Sequence, residues 1–209
     1  DGPVIQKAAE RALENDISLR DVLGMVKAFR KQDNTTPVVL MGYLNPIEAM
    51  GYTAFSEAAA EAGVDGVLTV DMPPEEGDVC MPLLREKGID PIFLIAPTST
   101  AERIKSLTSS ASGFVYYVSL KGVTGAGNLD TDEVASKLNQ IRQVTDLPLG
   151  VGFGIKDAES AAAIGKNADG VVVGSAIVRK IEENADNPEL ITANIVAMLS
   201  SMRGALDAL

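Results

Sequence analysis

Two stretches of this 209-residue chain leave bare backbone where chemistry would use it. "LPLGVGFGI" (Leu147–Ile155) and "DGVVVGSAIV" (Asp169–Val178) are apolar runs that each break into glycine at what reads as the end of a buried strand, and Ser175 completes the second. Glycine inside a strand gives up packing and conformational entropy, so its use there implies that something approaches the backbone closely. An anion fits that role, because N–H groups exposed at the start of a helix form a phosphate cradle. Ordinary tight turns are the competing explanation of the same glycines.

The remaining side chains narrow the chemistry. Histidine is absent, so proton transfer falls to carboxylates, Tyr or Lys, and mechanisms built on a Ser–His or Cys–His pair are excluded. With no His, one Cys and scattered carboxylates, no metal-ligand pattern is present. A formal net charge of −11 argues against a broad nucleic-acid surface, so a phosphate bound here belongs to a small molecule. The lone Cys80 cannot form an internal disulfide and reads as a small hydrophobe. No secretory signal and no apolar run near the roughly 18 residues of a membrane span are visible, so the expected home is the cytoplasm.

Six short apolar runs must position these groups: Pro37–Tyr43, Val64–Asp71, Pro91–Pro97, Phe114–Ser119, Leu147–Gly154 and Gly170–Gly174. Each is continuously apolar and rich in β-branched or aromatic residues, the pattern of a parallel strand buried on both faces. Amphipathic stretches separate them. Ser18 with Asp21 three positions on predicts a capped helix start, and Gly63 and Gly88 stand where helices would end. With 46% hydrophobic residues, residues 1–209 are expected to form a single α/β domain.

A barrel and a doubly wound sheet both accommodate this alternation. The regular repeat favours the barrel, as do phosphate-type glycines in the last two strand–helix loops, where barrels commonly bind phosphate. "SAIVRKIEEN" is then the short phosphate-side helix and "PELITANIVAMLSSMRGAL" the closing one. Six runs fall short of the eight strands of a closed barrel.

"DGPVIQ" at the start, "GVTGAGN" at Gly122–Asn128, "GVGFGI" at Gly150–Ile155 and "VGSAIV" at Val173–Val178 together resemble the α subunit of tryptophan synthase, in order and along the whole chain. The resemblance implies a (β/α)8 TIM barrel, here without its first two strands, so that the sequence is expected to begin inside the second strand–helix loop. It also implies the retro-aldol cleavage of indole-3-glycerol phosphate to indole and glyceraldehyde 3-phosphate in tryptophan biosynthesis.

By the same resemblance Asp1 is the carboxylate that accepts from the indole nitrogen, while the family's catalytic Glu has no counterpart in this chain. Tyr43, Phe153, Tyr116 and Thr124 would surround the indole, with Thr124 on a loop that closes over the site. Gly125, Gly154, Gly174 and Ser175 would hold the phosphate. "SLKGVTG" departs from versions of that loop with Arg before the small residue, since Leu120 and Lys121 stand there. The partner implied is a pyridoxal-phosphate-bearing β subunit in an α2β2 complex, met by Asn45, Asp71 and Pro73, and no cofactor is expected in this chain. Two other readings stay open: another phosphate-binding barrel enzyme, whose sign would be a strand-end Lys, and a non-catalytic module that binds phosphate or activates a partner.

Overall fold

The computed structural model describes residues 2–119, 131–152 and 154–209. Asp1, Thr124, Gly125 and Phe153 lie outside the described residues, as do Leu120 and Lys121.

The six apolar runs form six strands: β1 (Val39–Gly42), β2 (Gly66–Thr69), β3 (Asp90–Ile95), β4 (Val115–Val118), β5 (Leu149–Gly152) and β6 (Gly170–Val172). Every neighbouring pair is parallel, and the spatial order is β1-β2-β3-β4-β5-β6. This order decides between the two candidate architectures. A doubly wound sheet reverses direction at a switch point, whereas strands added one after another on the same side curl into a barrel wall.

Helices fill the connections: α1 (Pro3–Glu14), α2 (Leu19–Phe29), α3 (Leu44–Met50), α4 (Tyr52–Ala62), α5 (Cys80–Glu86), α6 (Ala101–Ser110), α7 (Thr131–Arg142), α8 (Ala158–Gly165), α9 (Ser175–Glu183) and α10 (Glu189–Asp207). Their ends follow from local chemistry. Ser18 and Asp21 form the expected capping box on α2, and the Ser18 hydroxyl holds the Asp21 carboxyl below its ordinary range. Asp157 and Ser160 cap α8 in the same way. Gly63 ends α4 at φ +88°, a left-handed turn that favours glycine.

Apolar residues spaced at helical intervals face the sheet, as with Val134, Leu138 and Ile141 of α7. They join Phe55, Ala59, Phe93, Ile95, Val115, Tyr117, Leu149 and Val151 in one core between helices and sheet. A smaller cluster on the opposite, inner face holds Leu68, Ile92 and Tyr116, with Leu94, Phe114, Val118 and Val172 against it.

Burial on both faces holds for β2, β4 and β5 and for most of β3, but not for β1 and β6. These two are the edges of the described sheet, and on β1 Val39 and Met41 are 37% and 53% exposed.

At the N-terminal end of the sheet one clamp occurs twice. The Asp65 carboxylate accepts from the amide of Val38 (2.6 Å) and from Arg30 (2.5 Å), while Arg30 also donates to the carbonyl of Gly63 (2.8 Å). Asp169 accepts from the amide of Leu149 (2.8 Å) and from Arg142 (3.0 Å), which donates to the carbonyl of Asn167 (2.8 Å). In each case an Arg near the end of one helix ties the amide after a Pro to the Asp that opens the next strand. The first clamp locks β1 to β2 and the second β5 to β6.

Arg30 is the more enclosed of the two and also donates to the carbonyls of Asp33 and Thr36. Replacing it should cost about 2 kcal/mol, because several carbonyls and a carboxylate lose their donor together. Arg142→Ala should cost about 1 kcal/mol, since its pair is more solvent-screened. Urea denaturation of both variants tests the order; a larger loss for Arg142→Ala would show that the clamps are not weighted by burial.

Candidate functional site

All six strands run the same way, so residues just beyond β1, β2, β5 and β6 gather at one rim. Tyr43 follows β1 and opens α3; Asn45 lies exposed on that helix; Asp71 and Pro73 follow β2; Gly154 follows β5; Gly174 and Ser175 follow β6 and open α9. Of the residues expected at the site, these share the C-terminal rim with Tyr116, whose strand runs toward it. Asp1, Thr124, Gly125 and Phe153 were expected beside them and lie outside the described residues.

The glycines of the two opening motifs divide by cause. Gly150 and Gly152 lie in β5, and what approaches them is aromatic rather than anionic. A Cβ at Gly150 would stand 3.2 Å from the Phe114 ring, and one at Gly152 would overlap the Tyr116 hydroxyl at 1.9 Å. Two rings, Phe114 just before β4 and Tyr116 within it, therefore occupy the space that two β5 side chains would need. Gly154 is required by the backbone itself, at φ +78°. Gly174 has an ordinary φ of −113° and open space where a Cβ would stand, so nothing among the described residues demands glycine there.

Gly174 is the N-cap of α9, and its carbonyl accepts from the amides of Ile177 and Val178 (2.9 and 3.1 Å). The two amides ahead of these, of Ser175 and Ala176, have no intrahelical acceptor. Gly174 and Ser175 are both exposed. An open glycine before a helix start, flanked by a hydroxyl, can receive an anion by amide donation and by the positive end of the helix.

Tyr116 is buried, and burial pushes its phenol above the ordinary value. It therefore stays protonated near neutral pH and can donate a hydrogen bond but not act as a base. Tyr43 is 46% exposed at the mouth of the rim. Cys80 is buried at the start of α5, where burial raises its thiol pKa, which makes it a poor nucleophile.

Several polar ties that motif reading did not anticipate hold the rim loops together. Leu44 donates its amide to Asp71 (2.7 Å), Arg103 pairs with Glu75 (2.5 Å), and Lys137 donates to the carbonyl of Ser99 (2.8 Å). Ser119, buried at the end of β4, donates its amide to the carbonyl of Gly152 (3.1 Å). No sequence spacing announces these pairs, because each joins residues 27 to 38 positions apart on different elements. Among the described residues no group of three His, Cys, Asp or Glu converges as a metal site, and no helix is long and apolar enough to cross a membrane.

A curled, sequentially ordered parallel sheet with its polar rim at the strand C-termini and an open helix start beyond the last strand defines a protein of the β/α-barrel class. The model of one family, tryptophan synthase alpha chain, matches residues 1–207. The chain belongs to that family.

A tryptophan synthase alpha chain from Thioalkalivibrio sulfidiphilus is 63% identical over 207 residues, which cover 99% of this chain and 78% of that protein. One from Marinobacter nauticus is 58% identical over 209 residues, covering 100% and 77%. Among solved structures, the alpha subunit from Legionella pneumophila str. Paris superposes with a TM-score of 0.90 at 46% identity, covering 100% of this chain and 77% of that one. A chain from the tryptophan synthase α2β2 complex of Pyrococcus furiosus gives 0.85 at 35% identity, covering 98% and 80%. Family membership supports a lyase role.

The fit of Tyr116 against Gly152 leads to a double-variant expectation. Gly152→Ala must displace the ring and should destabilise the protein by about 2 kcal/mol, the usual scale of overpacking. In a Tyr116→Leu background the same change should cost clearly less, because the opposing atoms are gone. Thermal or urea unfolding of the four proteins measures the coupling; additive losses would mean that the two residues do not compete for this space.

Proposed function

We propose that this chain cleaves indole-3-glycerol phosphate to indole and glyceraldehyde 3-phosphate as a step of tryptophan biosynthesis. The observation that carries the reading is the match of residues 1–207 to the tryptophan synthase alpha chain family, which spans every element of the rim.

In the reaction the indole C3 gains a proton, the C–C bond to the glycerol side chain breaks, and the adjoining hydroxyl loses its proton as it becomes the aldehyde of the released triose phosphate. The indole N–H must be relieved of positive charge meanwhile, and Asp1 is the carboxylate proposed to accept from it. At the other end of the substrate, the first amides of α9, the Ser175 hydroxyl and the backbone of Gly125, Gly154 and Gly174 hold the phosphate dianion. Anchoring the end that does not react lends its binding energy to orienting the end that does. Tyr43, Tyr116, Phe153 and Thr124 flank the indole. Tyr116 contributes as a neutral donor and wall, a role that its burial favours.

The indole is proposed to pass to a tryptophan synthase β chain docked against Asn45, Asp71 and Pro73. The α2β2 complex named for the Pyrococcus furiosus neighbour supports such a partner. Pyridoxal phosphate belongs to that partner in this reading; this chain needs no cofactor, and the reaction takes place in the cytoplasm.

The phosphate end provides the test. Gly174→Asp fits the open space before α9 and puts negative charge where the anion would sit; with Ser175→Ala it should weaken glycerol 3-phosphate binding about tenfold or more. Indole affinity should change much less. Calorimetric titration of both ligands decides the matter. Equal loss of the two, with circular dichroism unchanged, would overturn the phosphate assignment, and failure of the unaltered chain to bind either ligand would overturn the reading as a whole.

A further inference from the structure

We propose that Asp71 is a positioning residue for Tyr43, acting through the backbone amide that follows Tyr43. The inference deepens the function proposed above and rests on Tyr43 being a contact of the substrate's indole ring.

The sheet fixes the geometry on both sides. β1 and β2 pair in register up to Gly42 opposite Thr69, and one further rung joins the Val70 amide to the carbonyl of Gly42 (2.9 Å). One residue beyond that rung, Asp71 reaches across and accepts the Leu44 amide on Oδ1 at 2.7 Å. That amide belongs to the peptide plane between Tyr43 and Leu44. Holding it sets ψ of Tyr43, which stands at 161°, and thereby the direction in which the Tyr43 side chain leaves the backbone.

α3 has seven residues, buries only Ile47, and receives no side-chain cap from Tyr43. A carboxylate on the first amide of such a helix supplies the missing cap and meets the positive end of the backbone dipoles.

Asp71 also opens the loop that carries Pro73 and Glu75, and Glu75 is tied to α6 through Arg103. A displacement of that loop therefore reaches the Tyr43 peptide through one hydrogen bond. This gives Asp71 an intramolecular task besides any contact with a partner.

The test uses the full chain with indole and glycerol 3-phosphate as separate probes. Asp71→Ala should weaken indole binding about fivefold, the scale of one charge-assisted bond partly exposed to water, and glycerol 3-phosphate by less than about twofold. Asp71→Asn keeps an oxygen acceptor and should restore most of the indole affinity. In a Tyr43→Leu background, Asp71→Ala should cause no further loss. The Leu44 amide and Tyr43 ring resonances should both shift in Asp71→Ala without ligand. Unmoved resonances, equal weakening of the two ligands, or additive losses in the double variant would each overturn the proposal. If Tyr43→Leu alone left indole binding unchanged, the substrate reading of Tyr43 would fall, and this inference with it; the Leu44 and Tyr43 resonances tell that failure apart from a failure of the hydrogen bond.

Discussion

A parallel sheet that curls leaves less room on its inner face than on its outer one, and the arrangement of this rim depends on how that room is shared. Between β4 and β5 it is shared unequally. Phe114 and Tyr116 take the space, and Gly150 and Gly152 yield it. The outer face shows the opposite pattern, with Val115, Tyr117, Leu149 and Val151 all large and all buried against helices. The rings fit over bare backbone, and the ladder that pairs β4 with β5 runs on to the amide of Ser119 on the carbonyl of Gly152. The wall behind the proposed indole site is thus a consequence of packing volume.

The two ends of the sheet are held by different devices. At the N-terminal end, the Arg30–Asp65 and Arg142–Asp169 clamps use the same donor and acceptor atoms at positions four strands apart. Each ties a helix terminus to a strand start and carries no chemistry. At the C-terminal end, ties run from a loop to a helix: Asp71 to Leu44 of α3, Glu75 to Arg103 of α6, Ser99 to Lys137 of α7. A loop held by a single polar tie rather than by core packing can shift with modest cost, which suits the end of the barrel where ligands enter.

Much of this was legible in the chain itself. Continuous apolar runs bounded by helix punctuation identified the six strands of the described residues, and Ser18 with Asp21 and Gly63 show how helix boundaries follow from local hydrogen bonding that neighbouring residues can satisfy alone. Four motifs in order pointed to the family, because a rim assembled from several loops leaves its mark at several separated places. The absence of His removed whole classes of mechanism without any coordinates.

Other properties came only with the tertiary structure, since they depend on which atoms meet across strands. Strand order, the feature that separates a curled wall from a doubly wound sheet, is a matter of pairing between segments, and periodicity within a segment carries no trace of it. The glycines make the distinction clearest. Spacing presented Gly150, Gly152, Gly154 and Gly174 as one kind of signal, yet two yield to the Phe114 and Tyr116 rings, one adopts a left-handed turn and one faces open space. A missing side chain is written in the sequence, but the reason it is missing belongs to whatever occupies its place, and only the folded chain determines that.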